Sequence, residues 1–207
     1  MSASLAQIVL PLPQSPFPPL AVGFFGLGTG YLIYGPQELM GYPPRGERVD
    51  AGSGVWGLWM PGLMQFFAGV YLFAGLTLFN TFRTPALYMA ALAFTAYGVH
   101  WFALGWNRLQ HADVRVNVGM CVAYLLISIL GIIVFFGVHD DPVGGVFIGL
   151  TGVYATEFFA SMSPDQPRIG RLGERGLGIF HIGTGLWLIY LTFAVALNFI
   201  LNYNLPL

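Results

Sequence analysis

The chain contains no lysine, and charged residues of any kind make up only 8% of its 207 positions. Soluble domains spend about a quarter of their residues on charge, so an ordinary water-facing globule is excluded. A single cysteine, Cys121, excludes a disulfide framework and a thiolate metal cluster. Placed inside an apolar run, it reads as a small packing residue. A net charge of −1 without any basic stripe argues against nucleic acid as a partner. No nucleophile elbow, phosphate loop or HExxH element occurs, so neither enzymatic chemistry nor a cofactor is expected.

What the chain does have is apolar length. Hydrophobic residues account for 56% and the mean hydropathy is +0.70. Six apolar runs cover roughly residues 20–40, 55–80, 85–107, 117–138, 143–162 and 177–201. Each approaches the ~20 residues a helix needs to cross ~30 Å of hydrocarbon. A lipid-exposed strand would need barrel closure and strict alternation, and the runs do not alternate. The expectation is therefore an all-α membrane protein, a six-transmembrane-helix bundle. Gly35 and Pro36 are expected to end or kink the first helix early.

Ahead of the runs lies LPLPQSPFPP, residues 10–19. Its prolines fix φ and remove donors, which predicts an extended strap over residues 1–19 followed by a transmembrane domain over 20–207. The strap has no basic n-region and does not resemble a secretory signal. An integral, multi-pass protein of a bacterial plasma membrane is expected. The longest loops, near 41–54 and 163–176, are rich in Gly, Pro and charge.

All eight basic residues are arginines. The first, third and fifth loops take Arg45, Arg48, Arg108, Arg115, Arg168, Arg171 and Arg175, whereas the second takes Arg83 alone and the fourth carries Asp140 and Asp141. The positive-inside rule places the odd loops in the cytoplasm and both termini outside. Gly26 and Gly30, and again Gly145 and Gly149, stand four apart. That spacing lets helix backbones approach closely where water supplies no driving force.

Polar groups inside a membrane need a partner or a function. Gln65, Thr95, Tyr97, His100, Thr151, Tyr154, Glu157, His181, Thr184, Tyr190 and Asn198 all fall within the runs. Glu157 reads either as a carboxylate paired near an interface or as a proton-handling group. His100 and His181 raise haem ligation as a minor alternative, since bundle haems use histidines on facing helices. His111 and His139 fall in loops without metal-ligand spacing, and no metal site is expected.

Several strings resemble the acetate uptake transporter family, also called succinate–acetate permeases. Ser15-Pro16-Phe17-Pro18-Pro19-Leu20-Ala21-Val22-Gly23-Phe24 is similar to that family's opening Asn-Pro-Ala-Pro-Leu-Gly signature. Gln65-Phe66-Phe67-Ala68-Gly69 resembles its Gln-x-x-Ala-Gly. Ala93-Phe94-Thr95-Ala96-Tyr97-Gly98-Val99-His100-Trp101 matches Ala-Phe-Ser/Thr-x-Tyr-Gly-x-x-Trp, the most specific of the strings. Phe135-Phe136-Gly137, Leu150-Thr151 and Ile189-Tyr190-Leu191 with Leu197-Asn198 follow in the family's order. The chain is thus identified as a divergent member. The resemblance implies a six-helix protomer of a ring-shaped hexamer, each protomer with its own path for small monocarboxylates. It implies a hydrophobic constriction at Phe24, Tyr97 and Leu150, with Ser15, Gln65, Thr95 and Asn198 as polar groups along the path.

The departures are specific. Ser15 replaces the signature asparagine, and Leu72 and Val195 stand where the family has acidic residues. Residues Ala74 to Met89 make a long apolar link between the second and third helices. The family's termini face the cytoplasm, opposite to the arginine bias here. These departures support a rival reading: a non-transporting subunit of a larger respiratory or photosynthetic membrane complex that retains the transporter fold. For Gln65 and Asn198 the simpler role is a cross-helix hydrogen bond, worth about 0.6 kcal/mol.

Overall fold

The structure is a computed structural model, and it describes residues 17–163 and 166–206. Ser15 and most of the proline-rich strap lie outside the described residues. All regular structure among the described residues is helical: α1 Phe17–Met40, α2 Glu47–Gly57, α3 Met64–Phe73, α4 Ala86–Leu109, α5 Val118–Gly137, α6 Asp141–Met162 and α7 Pro167–Leu201. A π-helical segment, Leu58–Leu63, fuses α2 to α3, and a second, Ala74–Leu78, extends α3. The result is six rods. Five of them are long and apolar enough to cross a membrane: the 32-residue rod Glu47–Leu78, α4, the rod Val114–Gly137, α6 and the Arg168–Leu201 part of α7. The sixth, α1, has 24 residues, enough length to span, and packs in the same bundle against α7 and the fused rod.

Three expected loops differ from the structure, each for a local reason, and α1 keeps the length of its apolar run. Pro36 does not end α1, which runs on to Met40. The expected loop 41–54 is mostly helix, because α2 starts at Glu47 with Glu47 and Asp50 in its first turn, where carboxylates complement the helix dipole. The expected loop 163–176 is likewise largely helical, and α7 starts with a proline at its first turn, where no N–H is needed. The apolar link from Ala74 shrinks to residues 79–85, since Ala74–Leu78 continues the preceding helix and α4 begins at Ala86.

The π segment has an identifiable cause. Pro61 lies inside it and cannot donate to the preceding turn, so the backbone takes up an extra residue there. Pro61 packs against Gly30, where an added Cβ would come 2.6 Å from its Cγ. Gly26 faces the same rod, its missing Cβ 2.6 Å from the carbonyl of Met60. Further along, Gly54 and Gly105 face one another; a Cβ on either would sit 2.7 or 2.6 Å from the other's carbonyl oxygen. Small residues thus set the spacing of α1, the fused rod and α4. The outer faces are apolar, as at Leu126, Ile133, Leu186 and Phe193, all exposed. Such a surface suits lipid or further protomers rather than water.

Candidate functional site

Two cavities enter the bundle from opposite ends. The first, about 500 Å³, lies at the end carrying the first, third and fifth loops, where most arginines are. Tyr31, Tyr34, Glu38, His100, Trp101, Tyr154, Glu157 and His181 line its depth, and the exposed His111, Asp113 and Gln166 stand at its mouth. The second, about 380 Å³, enters from the other end past Thr84, Val138 and Asp140. Its walls are almost wholly apolar, including Leu20, Phe24, Leu27, Phe94, Phe147 and Leu188.

The cavities share helices and are offset along them. α1 gives Leu27 to the apolar cavity and Tyr31 to the polar one; α4 gives Tyr97 to the apolar cavity and His100 to the polar one; α6 likewise gives Leu150 and then Tyr154. Residues three or four apart lie on one helix face, one turn separated. A single layer therefore divides the two spaces. Its rings are Tyr97 and Tyr154, stacked with centroids 5.7 Å apart, and Tyr124, 5.4 and 5.3 Å from those two. The Tyr97 hydroxyl pairs with Ser128 Oγ at 3.0 Å, and that of Tyr154 with His100 Nδ1 at 3.3 Å.

Phe24, Tyr97 and Leu150, named from sequence as a constriction, all line the apolar cavity and are buried at 6%, 2% and 2% exposure. Gln65 joins them. It is fully buried, and neither its Oε1 nor its Nε2 has a hydrogen-bond partner, so it forms no cross-helix bond among the described residues. An unpaired buried amide costs about 1–3 kcal/mol unless water or a ligand satisfies it, and this one lines a cavity. Thr95 and Asn198 are elsewhere. Thr95 Oγ1 donates to the Ala91 carbonyl at 2.8 Å, and Asn198 clasps the backbone of Leu205 through two bonds of 2.9 Å. Neither lines either of these two cavities.

The polar cavity was not assembled by sequence reasoning. Arg108 forms a latch at its edge, donating from Nη1 to Gln37 Oε1 at 2.6 Å and to Ser53 Oγ at 3.0 Å. Its guanidinium lies 3.8 Å from the Tyr34 ring centroid, with Glu38 at 3.9 Å and Asp50 at 4.0 Å. Asp50 also meets Arg45 at 2.7 Å. Glu38 Oε2 is 2.5 Å from His181 Nδ1, and Tyr31 stacks on that imidazole at 4.3 Å. The two histidines considered for haem each meet a protein group through Nδ1, while His100 Nε2 has no partner among the described residues. Glu157 is buried at 7% exposure and lines this cavity. The signal missed was helical: α1 extends past Pro36 and α2 starts at Glu47, which puts Glu38, Asp50 and Ser53 on helices, and the packing of those helices on α4 brings them to Arg108.

Carboxylates outnumber guanidinium groups in this lining, with Glu38, Asp50, Asp113, Glu157 and Glu174 against Arg45, Arg108 and Arg171. At the mouth the Arg115 side chain, and then its backbone N–H, hold the Asp113 carboxyl down to about 2. At the opposite mouth burial raises the Asp140 carboxyl above its ordinary value, against a hydrogen bond from the Val143 backbone. The Asp113 carboxylate thus stays ionised, paired with Arg115, throughout the neutral range.

These features define an integral, multi-pass helical membrane protein with a cavity opening at each end of its bundle. Among solved structures, the structure of the bacterial acetate channel SatP superposes with a TM-score of 0.66 at 18% identity, covering 87% of this chain and 92% of that one. The fold is shared with that channel. No protein-family model matches the chain, and no curated protein sequence matches it.

Proposed function

We propose that this protein is a divergent member of the acetate uptake transporter family and a conduit for acetate or a similar small monocarboxylate. The observation that carries the reading is the pair of end-on cavities separated by one aromatic layer, with Phe24, Tyr97 and Leu150 on the apolar side. The SatP likeness supports it at the level of fold.

A carboxylic acid with a pKa near about 4.3 is almost wholly ionised at pH 7. Crossing an uncharged aromatic layer as a bare anion would cost several kcal/mol, of order the penalty for burying an unpaired ion. The apolar cavity offers no cation among its lining residues. Passage as the neutral acid fits this wall, with Gln65 as the hydrogen-bonding partner beyond the layer. Thr95 and Asn198 fit less well, since both bond to backbone; Ser15 lies outside the described residues.

The assembly that goes with this reading is the ring-shaped hexamer, in a bacterial plasma membrane. The rival, a non-transporting subunit of a larger complex, draws on the apolar Leu72 and Val195, both buried where acids would be expected. The deciding experiment is uptake of labelled acetate into proteoliposomes, with native mass measurement of the detergent-extracted protein. Uptake above that of empty liposomes, reduced by substitutions at Phe24 or Tyr97, is expected. Uptake equal to empty liposomes would sink the conduit reading and favour the rival.

A further inference from the structure

Two buried groups in the polar cavity lack partners, and they belong together. Glu157 makes no ion pair or hydrogen bond among the described residues, although it is buried and its side chain lines the cavity. His100 Nε2 is buried without a hydrogen-bond partner, while its Nδ1 meets Tyr154. Glu157 follows Tyr154 by three residues on α6, so it stands one turn closer to the mouth on the same face. Every other acidic group near it is engaged or peripheral. From α1, Glu38 pairs with His181 of α7 and lies near Arg108 of α4; from α2, Asp50 pairs with Arg45 and lies near Arg108. Glu174 and Arg171 of α7, Tyr31 of α1, Cys121 of α5 and His111 beyond α4 are further titratable or charged surroundings, with the Asp113–Arg115 pair at the rim.

We propose that Glu157 is the proton-sharing site of the passage, where a small carboxylate entering by the polar mouth is neutralised before it meets the Tyr97–Tyr154 layer. This rests on the conduit reading above and adds to it the place and group of proton transfer. The chemistry follows from like charge. Two carboxylates side by side cannot both stay ionised, so they bind each other only through a shared proton. The O–H bond on the Glu157 carboxyl breaks as an O–H bond forms on the solute carboxylate. The solute leaves as the neutral acid, and Glu157 remains as carboxylate until hydronium from bulk water reloads it through the open mouth. His100 Nε2 supplies a hydrogen bond to the solute's second oxygen. Leu72 and Val195 remove two expected acids elsewhere; Glu157 places one where the passage changes from polar to apolar.

The test uses the full chain in proteoliposomes with a pH-sensitive dye entrapped, reading labelled acetate uptake and lumen acidification together. Wild-type uptake with coupled acidification, lost in Glu157→Gln and partly restored in Glu157→Asp, is the expected result, with both variants eluting as the wild type does. Wild-type uptake that persists undiminished in Glu157→Gln would overturn the proposal and leave the conduit reading intact. No wild-type uptake at all would overturn both. Infrared difference spectroscopy on the unmodified protein guards against a variant that simply misfolds. Adding acetate is expected to perturb a protonated-carboxyl stretch that isotopic labelling of the acetate does not move. Absence of that signal in protein that transports acetate would equally overturn the assignment.

Discussion

Tyr97 and Tyr154 stack at 5.7 Å and an interplanar angle of 16°, and each faces a different cavity. The pair stands between the two cavities, so under the proposed conduit function its area should set what crosses. Replacing Tyr154 with Ala is expected to admit longer acids and raise acetate flux severalfold. Tyr154→Phe keeps the stacked ring and loses only the contact with His100, so its size selection should stay close to wild type. Uptake of a series of labelled acids of increasing length separates the two outcomes.

Gln65 separates stability from function. Its unpaired amide is expected to cost rather than contribute folding energy, so Gln65→Leu should leave the thermal midpoint unchanged or raise stability by about 1 kcal/mol. Acetate flux should fall in the same variant, because the donor beyond the layer is gone. Thermal unfolding in detergent and liposome uptake, measured side by side, test this. A marked loss of stability would mean that the amide has a partner in the folded state.

The Glu38–His181 contact ties the end of α1 to α7 in a buried setting. His181→Phe keeps a ring against Tyr31 but strips Glu38 of its nearest partner, and a destabilisation of about 3 kcal/mol is expected. Adding Glu38→Leu should recover most of it. A double-mutant cycle by chemical denaturation reads the coupling, and additive effects would show that the contact contributes nothing.

Asp140 caps α6 by accepting a hydrogen bond from the Val143 N–H at 3.2 Å. Asp140→Ala should cost about 1 kcal/mol, whereas Asp140→Asn retains the acceptor and should cost only a few tenths. The pH dependence has a definite sign. Burial raises this carboxyl's folded pKa, so its contribution is fully present below the unfolded value and is lost as pH rises through the folded one. Stability of wild type relative to Asp140→Asn, followed across the mildly acidic range, should therefore decline as pH increases.

The sequence alone determined that this chain lies in a membrane as helices, because apolar runs of spanning length with so few charges leave no other way to satisfy the backbone in lipid. Local strings also brought out Phe24, Tyr97, Leu150 and Gln65, all of which line one cavity. Thr95 and Asn198 were equally plausible by residue type, since intramembrane polarity carries no information on which face of a helix a side chain takes. Only the tertiary structure decided that. It also decided the polar cavity, whose groups come from α1, α2, α4, α6 and α7 and meet only when helices extend through segments that composition marks as loops. Helical periodicity is a local property that short-range sequence can carry. The meeting of Glu38 with His181 across 143 positions is set by how the rods pack, through glycine contacts and a proline-induced π turn.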